Sequence, residues 1–182
     1  MAQGYGMRRE RVMSNDFVLL CPPADPAAVR GVESASEGLR RIAVAQALFV
    51  SRGDDSGTHK KERALWEQAG LAPQGDWYLE SGQGMGATLR IASEKEGYTL
   101  SDRGTYLALR DELALEICLE GDPALLNVYH VIVVNAERWP DVNVEGANAL
   151  ADFLLSSRAQ RMIAAFGVER YGQPLFLPNP DQ

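Results

Sequence analysis

Basic residues, cysteine, histidine and long apolar runs are all scarce in this sequence. Its 182 residues carry 18 Lys and Arg against 25 Asp and Glu, a formal net charge of −7. That balance argues against a nucleic-acid surface, which needs a concentrated basic face. The two cysteines, Cys21 and Cys118, lie far apart with no CxxC or Cys/His spacing around either, so no zinc site is expected. Both sit in apolar runs and read most simply as small core residues, with a pairing between them left open. No apolar run reaches the roughly 18 residues of a membrane span. The N-terminus, Met-Ala-Gln-Gly-Tyr-Gly-Met-Arg-Arg-Glu-Arg, has charges but no following apolar stretch, so as written it shows no export signal.

What is present is a globular composition, 46% apolar and 24% charged, enough for one ordinary domain or two small lobes. Short apolar strands are expected at 12–20, 48–51, 77–79, 98–100, 113–120 and 129–135. The last, Tyr129 to Asn135, is nearly all apolar and β-branched and reads as buried on both faces. Helical spacing marks 32–47, 56–68 with Asp55 or Ser56 as its cap, a glycine-rich turn opening a helix to about Lys95, a helix capped at Ser101 and reaching Leu109, then 145–155 and 157–166. Strands alternating with helices imply an α/β sheet whose ligands bind at loops beyond the strand C-terminal ends.

One such loop stands out. Phe49-Val50-Ser51-Arg52-Gly53-Asp54-Asp55-Ser56-Gly57-Thr58-His59 runs from an apolar strand through a glycine- and hydroxyl-rich turn into a helix. The N–H groups of a helix start have no intrahelical partners, and with the peptide dipoles they favour an oxyanion. Arg52 would add forked donors and positive charge, and Ser51, Ser56 and Thr58 hydroxyls. An ordinary capped helix start fits the same residues, so both readings stay open here. Asp54 and Asp55 would repel an anion and are expected to point away, capping the helix or pairing with Lys60, Lys61 or Arg103.

The other constellations are weaker. Gly82-Gln83-Gly84-Met85-Gly86-Ala87 does not fit the spacing of a dinucleotide fingerprint. Asp55, Ser56 and His59 share one helical turn, where side chains fan apart and cannot align as a triad. His59 reads as a surface or lobe-contact residue and His130 as a satisfied core histidine. The aromatics Trp66, Trp77, Tyr78 and Trp139 read as scattered packing residues, and no metal cluster is seen.

Further motifs carry a resemblance. The Phe49–His59 segment, followed by Trp77-Tyr78-Leu79-Glu80, Gly82-Gln83-Gly84-Met85-Gly86-Ala87-Thr88-Leu89 and Tyr98-Thr99-Leu100-Ser101-Asp102-Arg103-Gly104-Thr105-Tyr106, resembles the tungstate-binding periplasmic components of ABC transporters. The likeness runs from about Gly4 to Pro178. It implies an α/β, type II periplasmic-binding-protein-like fold, with a complete second lobe and the C-terminal part of an incomplete first lobe. Segment 1–20 would cross from the first lobe, 21–127 form the second, and 128–182 supply a return strand and C-terminal helices. The implied function is non-enzymatic capture of tungstate or molybdate for a membrane permease, with no cofactor. The implied oxyanion ligands are Arg52, Ser56, Gly57 and Thr58, with Ser51 and Gly86 as further candidates. A periplasmic or lipid-anchored extracellular location goes with the family. The absent part of the first lobe would leave apolar surface exposed, so a homo-oligomer or a complementing N-terminal fragment is expected. An intracellular oxyanion-sensing or regulatory domain is the alternative.

Overall fold

The computed structural model describes residues 4–179; residues 1–3 and 180–182, the extremities of the first and last expected segments, lie outside the described residues. Two compact units emerge, Met1–Asn15 with Asn127–Gln182, and Asp16–Leu126.

Both units draw on β1, Gly6–Cys21, a strand of 16 residues that starts six residues before the expected one. Arg8, Arg9 and Arg11 hide its first half from hydropathy, but alternation persists through them, and period two is what a pleated strand requires.

In the unit Asp16–Leu126, β1 pairs antiparallel with β4 (Thr99–Asp102), Leu19 opposite Leu100, and with β5 (Glu116–Leu119), Leu19 opposite Leu119. β2 (Phe49–Ser51) and β3 (Tyr78–Glu80) are parallel. A parallel bridge from Phe49 to Tyr98 extends the β2 side toward β4. Helices α1 (Ala35–Ala45), α2 (Gly57–Gln68), α3 (Met85–Glu94) and α4 (Arg103–Leu109) flank these strands. Ser34 caps α1 by accepting from the Glu37 N–H, as a Ser-x-x-Glu start should. α2 ends in a Schellman turn: Gly70 at φ 72° lets its own N–H reach the Glu67 carbonyl and the Leu71 N–H reach that of Trp66. Asp102, not Ser101, caps α4, because Ser101 remains in the strand and the Asp102 carboxylate takes the Thr105 N–H.

The core of this unit gathers Leu19, Ile42, Phe49, Leu65, Trp66, Tyr98, Leu100 and Leu125. The aromatics are not scattered: Phe49, Trp66, Trp77 and Tyr78 form one cluster with centroid separations of 5.2 to 6.3 Å. Cys21 and Cys118 are a disulfide with Cα atoms 5.8 Å apart, so they are a cross-link and not two separate core residues. Nothing in their sequence spacing could report this, because the antiparallel register of β1 and β5 brings them together.

In the other unit, β1 pairs with β6 (Leu126–Val134) and with the short β7 (Leu177–Pro178), beside α5 (Val144–Leu155), α6 (Ser157–Ala165) and α7 (Val168–Tyr171). β6 is not buried on both faces. Of its residues only Val133 is buried, and Leu126, Val128, His130, Ile132 and Val134, which share one face by alternation, are all exposed. His130 is therefore no core residue; its Nδ1 lies 3.3 Å from the Arg9 guanidinium.

Candidate functional site

Two strand ends lie side by side. In the parallel pair, Ser51 at the end of β2 stands opposite Glu80 at the end of β3, and each strand then turns into a helix, α2 and α3. The ladder continues into the turns: the Ser81 N–H donates to the Ser51 carbonyl and the Gly82 N–H to the Arg52 carbonyl, both at 2.9 Å. The two glycine-rich segments singled out from the sequence are thus tied together at the C-terminal edge of a parallel pair, where α/β sheets place ligands.

The turn at 52–56 has a backbone that few sequences could adopt. Gly53 has φ 61°, and a Cβ there would lie 2.7 Å from the Cβ of Glu80, so conformation and space both demand glycine. Asp55 is also left-handed, at φ 56°. Its N–H is held by Nδ1 of His59 at 3.0 Å and its carboxylate by Lys60 at 3.3 Å. His59 is consequently buried, at 8% exposure, as a brace of the turn and not a surface residue. Ser56 caps α2, its Oγ accepting from the His59 N–H. The N–H groups of Gly57 and Thr58 that follow have no intrahelical carbonyl to reach. Open space surrounds Gly57 where a side chain would stand. α3 starts in the same way, with Gly84 as its N-cap and no side-chain cap at all. A Cβ at Gly86 would stand 3.4 Å from Leu109, an ordinary packing contact between α3 and α4.

Electrostatics at the turn centre on Arg52. Its side chain is only 18% exposed, and its Nη2 pairs with the Asp54 carboxylate. Its Nε is buried with no hydrogen-bond partner among the described residues, an uncommon condition for a guanidinium donor. Asp54 faces the turn: the Ser56 hydroxyl and amide, then Arg52, bring its carboxyl down to about 2. Of the pairings expected for the two acids, Asp55 with Lys60 is present, whereas Asp54 takes Arg52 itself. Arg103 is unavailable to either, because Asp16 at 2.8 and 2.5 Å and Glu120 at 2.7 Å hold its guanidinium and raise its pKa. Lys61 donates to the Leu126 carbonyl.

Behind the turn lies a residue the sequence reading passed over. Glu62 is 2% exposed. Its carboxylate accepts from Ser51 Oγ at 2.7 Å, Tyr78 Oη at 2.7 Å and Trp66 Nε1 at 3.2 Å. Burial raises its pKa, opposed by these three donors. The signal was in the helical pattern: Thr58, Glu62, Leu65, Trp66 and Ala69 follow one core-facing stripe, and an acid on such a stripe must be satisfied inside. Ser51, fully buried, spends its proton on Glu62 and accepts the Gly53 N–H at 3.2 Å. It has no proton left for a ligand. Cys21, Asp25 and Cys118 are the one group with metal-like spacing among the described residues, and its two sulfurs are bonded to each other.

An open helix start beside a half-satisfied guanidinium is chemistry for an anion. Residues 1–158 match the model of the PBP superfamily domain. The chain belongs to the PBP superfamily. Within it, this PBP chain is 45% identical over 181 residues to the tungstate-binding protein TupA of Peptoclostridium acidaminophilum, an alignment covering 98% of the chain and 63% of that protein. It is 37% identical over 182 residues to TupA of Campylobacter jejuni, covering 97% and 66%. The chain therefore spans just under two thirds of the length of these relatives. Among solved structures, the tungstate-binding protein TupA of Desulfovibrio alaskensis G20 superposes with a TM-score of 0.87 at 41% identity, covering 98% of this chain and 72% of that one. A tungstate ABC transporter structure from Geobacter sulfurreducens gives 0.77 at 42% identity, covering 91% and 70%. The mixed α/β fold of the PBP chain is the fold of these proteins.

Proposed function

We propose that this chain is part of the solute-binding component of an ABC transporter and takes a tetrahedral oxyanion, tungstate or molybdate, at the Arg52 turn. The observation that carries the reading is the buried, unpartnered Nε of Arg52 next to the open first turn of α2. A dianion leaving water needs several directed donors and a cation close by. In this reading Arg52 supplies the charge and Gly57 and Thr58 their N–H groups, with the Thr58 hydroxyl and Ser56 at the rim. The uncapped start of α3, including the Gly86 N–H, contributes a second set of donors. Ser51 acts from behind the turn. The pocket holds the anion by local groups against an overall charge of −7, and the reading is one of binding, not catalysis.

By the same reading 21–127 is one whole anion-binding lobe, the membrane partner is a permease, and the setting is the periplasm or the outer cell surface. A disulfide between Cys21 and Cys118 fits such an oxidising setting. A second copy of the chain covers the apolar β6 face of Leu126, Val128, Ile132 and Val134.

Isothermal titration of the full chain with sodium tungstate, molybdate and sulfate tests the site. Tungstate and molybdate should bind, and Arg52→Ala should cost about 2–5 kcal/mol, the usual loss when one partner of a buried charge pair is removed. Tungstate affinity unchanged in Arg52→Ala removes the central residue of the proposal.

A further inference from the structure

We propose that Glu62 is a positioning residue that sets the geometry of the Arg52 turn through the hydroxyl of Ser51. The proposal rests on the reading of that turn as an oxyanion site. Ser51 Oγ has one proton and two lone pairs, and its polar neighbours are Glu62, the Gly53 N–H and the Tyr78 hydroxyl. It gives that proton to Glu62 Oε2 at 2.7 Å, and its lone pair then faces the Gly53 N–H at 3.2 Å. Gly53 is the residue whose φ of 61° swings the chain from β2 toward the start of α2. An acceptor at Oε2 therefore decides which way Ser51 points and whether the N–H following Arg52 is held. Ser51 is 0% exposed, so no solvent is at hand to replace either bond, and the chain Glu62–Ser51–Gly53 has one arrangement that satisfies all its members.

The remaining contacts of Glu62 make this testable by one isosteric change. Glu62→Gln keeps the shape and replaces one oxygen by an NH2 group. Trp66 Nε1 can only donate, and it points at Oε1, so the glutamine must keep its oxygen there and place its NH2 against Ser51. The Ser51 hydroxyl then meets a donor where it had an acceptor. To find a new acceptor its proton must turn, with the Tyr78 hydroxyl in reach, and that rotation swings its lone pairs off the Gly53 N–H. The hold on Gly53 is then weakened while the core around Trp66 and Tyr78 is kept.

The experiment is a double-mutant cycle on the full chain with Glu62→Gln, Ser51→Ala and the pair, reading tungstate affinity by titration and the Gly53 amide by hydrogen exchange in NMR. Each single variant should weaken tungstate about tenfold and speed Gly53 exchange by a similar factor, the scale of one hydrogen bond to a charged group. Because Glu62 acts through Ser51, the pair should bind no more weakly than Ser51→Ala alone. Losses that multiply in the pair overturn the proposal, as does a Gly53 amide unmoved in Glu62→Gln. Should Glu62→Gln fail to fold, an unmoved Gly53 amide in Ser51→Ala overturns it equally. If the unmodified chain takes up no tungstate, the oxyanion reading falls, and the Gly53 exchange rates still decide whether Glu62 holds the turn.

Discussion

The disulfide between Cys21 and Cys118 closes a loop with a sequence separation of 97 residues, which takes in most of the Asp16–Leu126 unit. Closing a loop of that length removes conformational freedom from the unfolded chain worth about 5 kcal/mol at 25 °C. Domains are stable by only about 5–15 kcal/mol, so the cross-link carries a large share of this unit's stability. The perturbation is Cys21→Ala with Cys118→Ala, measured by urea unfolding with tryptophan fluorescence against the oxidised chain. Trp66 and Trp77 report on this unit, since both lie in its aromatic cluster. With a slope of about 2 kcal/mol per molar urea, the midpoint should fall by about 2.5 M. Cys21 is fully buried, so its truncation adds a small packing loss in the same direction. Reduction of the unmodified chain under denaturant, followed by refolding in reductant, should reproduce most of the fall. A midpoint within about 0.3 M of the oxidised chain would refute the reasoning, because the loop entropy does not depend on local packing.

Three further outcomes are expected. Gly53→Ala should lose at least about 1–2 kcal/mol, from the left-handed backbone alone, with more from the 2.7 Å approach of its Cβ to Glu80; a urea midpoint equal to that of the unmodified chain contradicts this. Asp54 has its carboxyl lowered from an ordinary 3.8 to about 2, so the stability it lends is present above pH 4 and lost as pH falls through about 2. Asp54→Asn should therefore flatten the acid limb of a stability profile between those values and, by releasing Arg52 while keeping an acceptor for the Ser56 N–H, tighten tungstate several-fold at pH 7; weaker binding in that variant counts against it. Light scattering after size exclusion should give the mass of a dimer, and Val128→Glu with Ile132→Glu should return a monomer, whereas a monomer at every concentration of the unmodified chain rules out the second copy.

The helices were the most legible part of the fold. Ser56 caps α2 as one of the two residues expected there, because capping is a local bargain between a side chain and nearby backbone groups. Strand burial was the least legible. Tyr129 to Asn135 is as apolar as a doubly buried strand, yet one face of β6 is exposed, since hydropathy records what a residue prefers and not what stands over it. Arg8, Arg9 and Arg11 concealed half of β1 for the opposite reason: arginine stems lie along a sheet while their charges reach out of it.

At the candidate site, sequence alone determined the parts that depend on backbone and residue type: a glycine where φ is positive, a serine before a helix, an arginine within reach of both. Only the tertiary structure decided who meets whom. It tied the turn after β2 to the turn after β3, joined Cys21 to Cys118 and placed Glu62 under Ser51. Those pairings join residues up to 97 positions apart, and they follow from sheet register and helix packing, which no local pattern of side chains records.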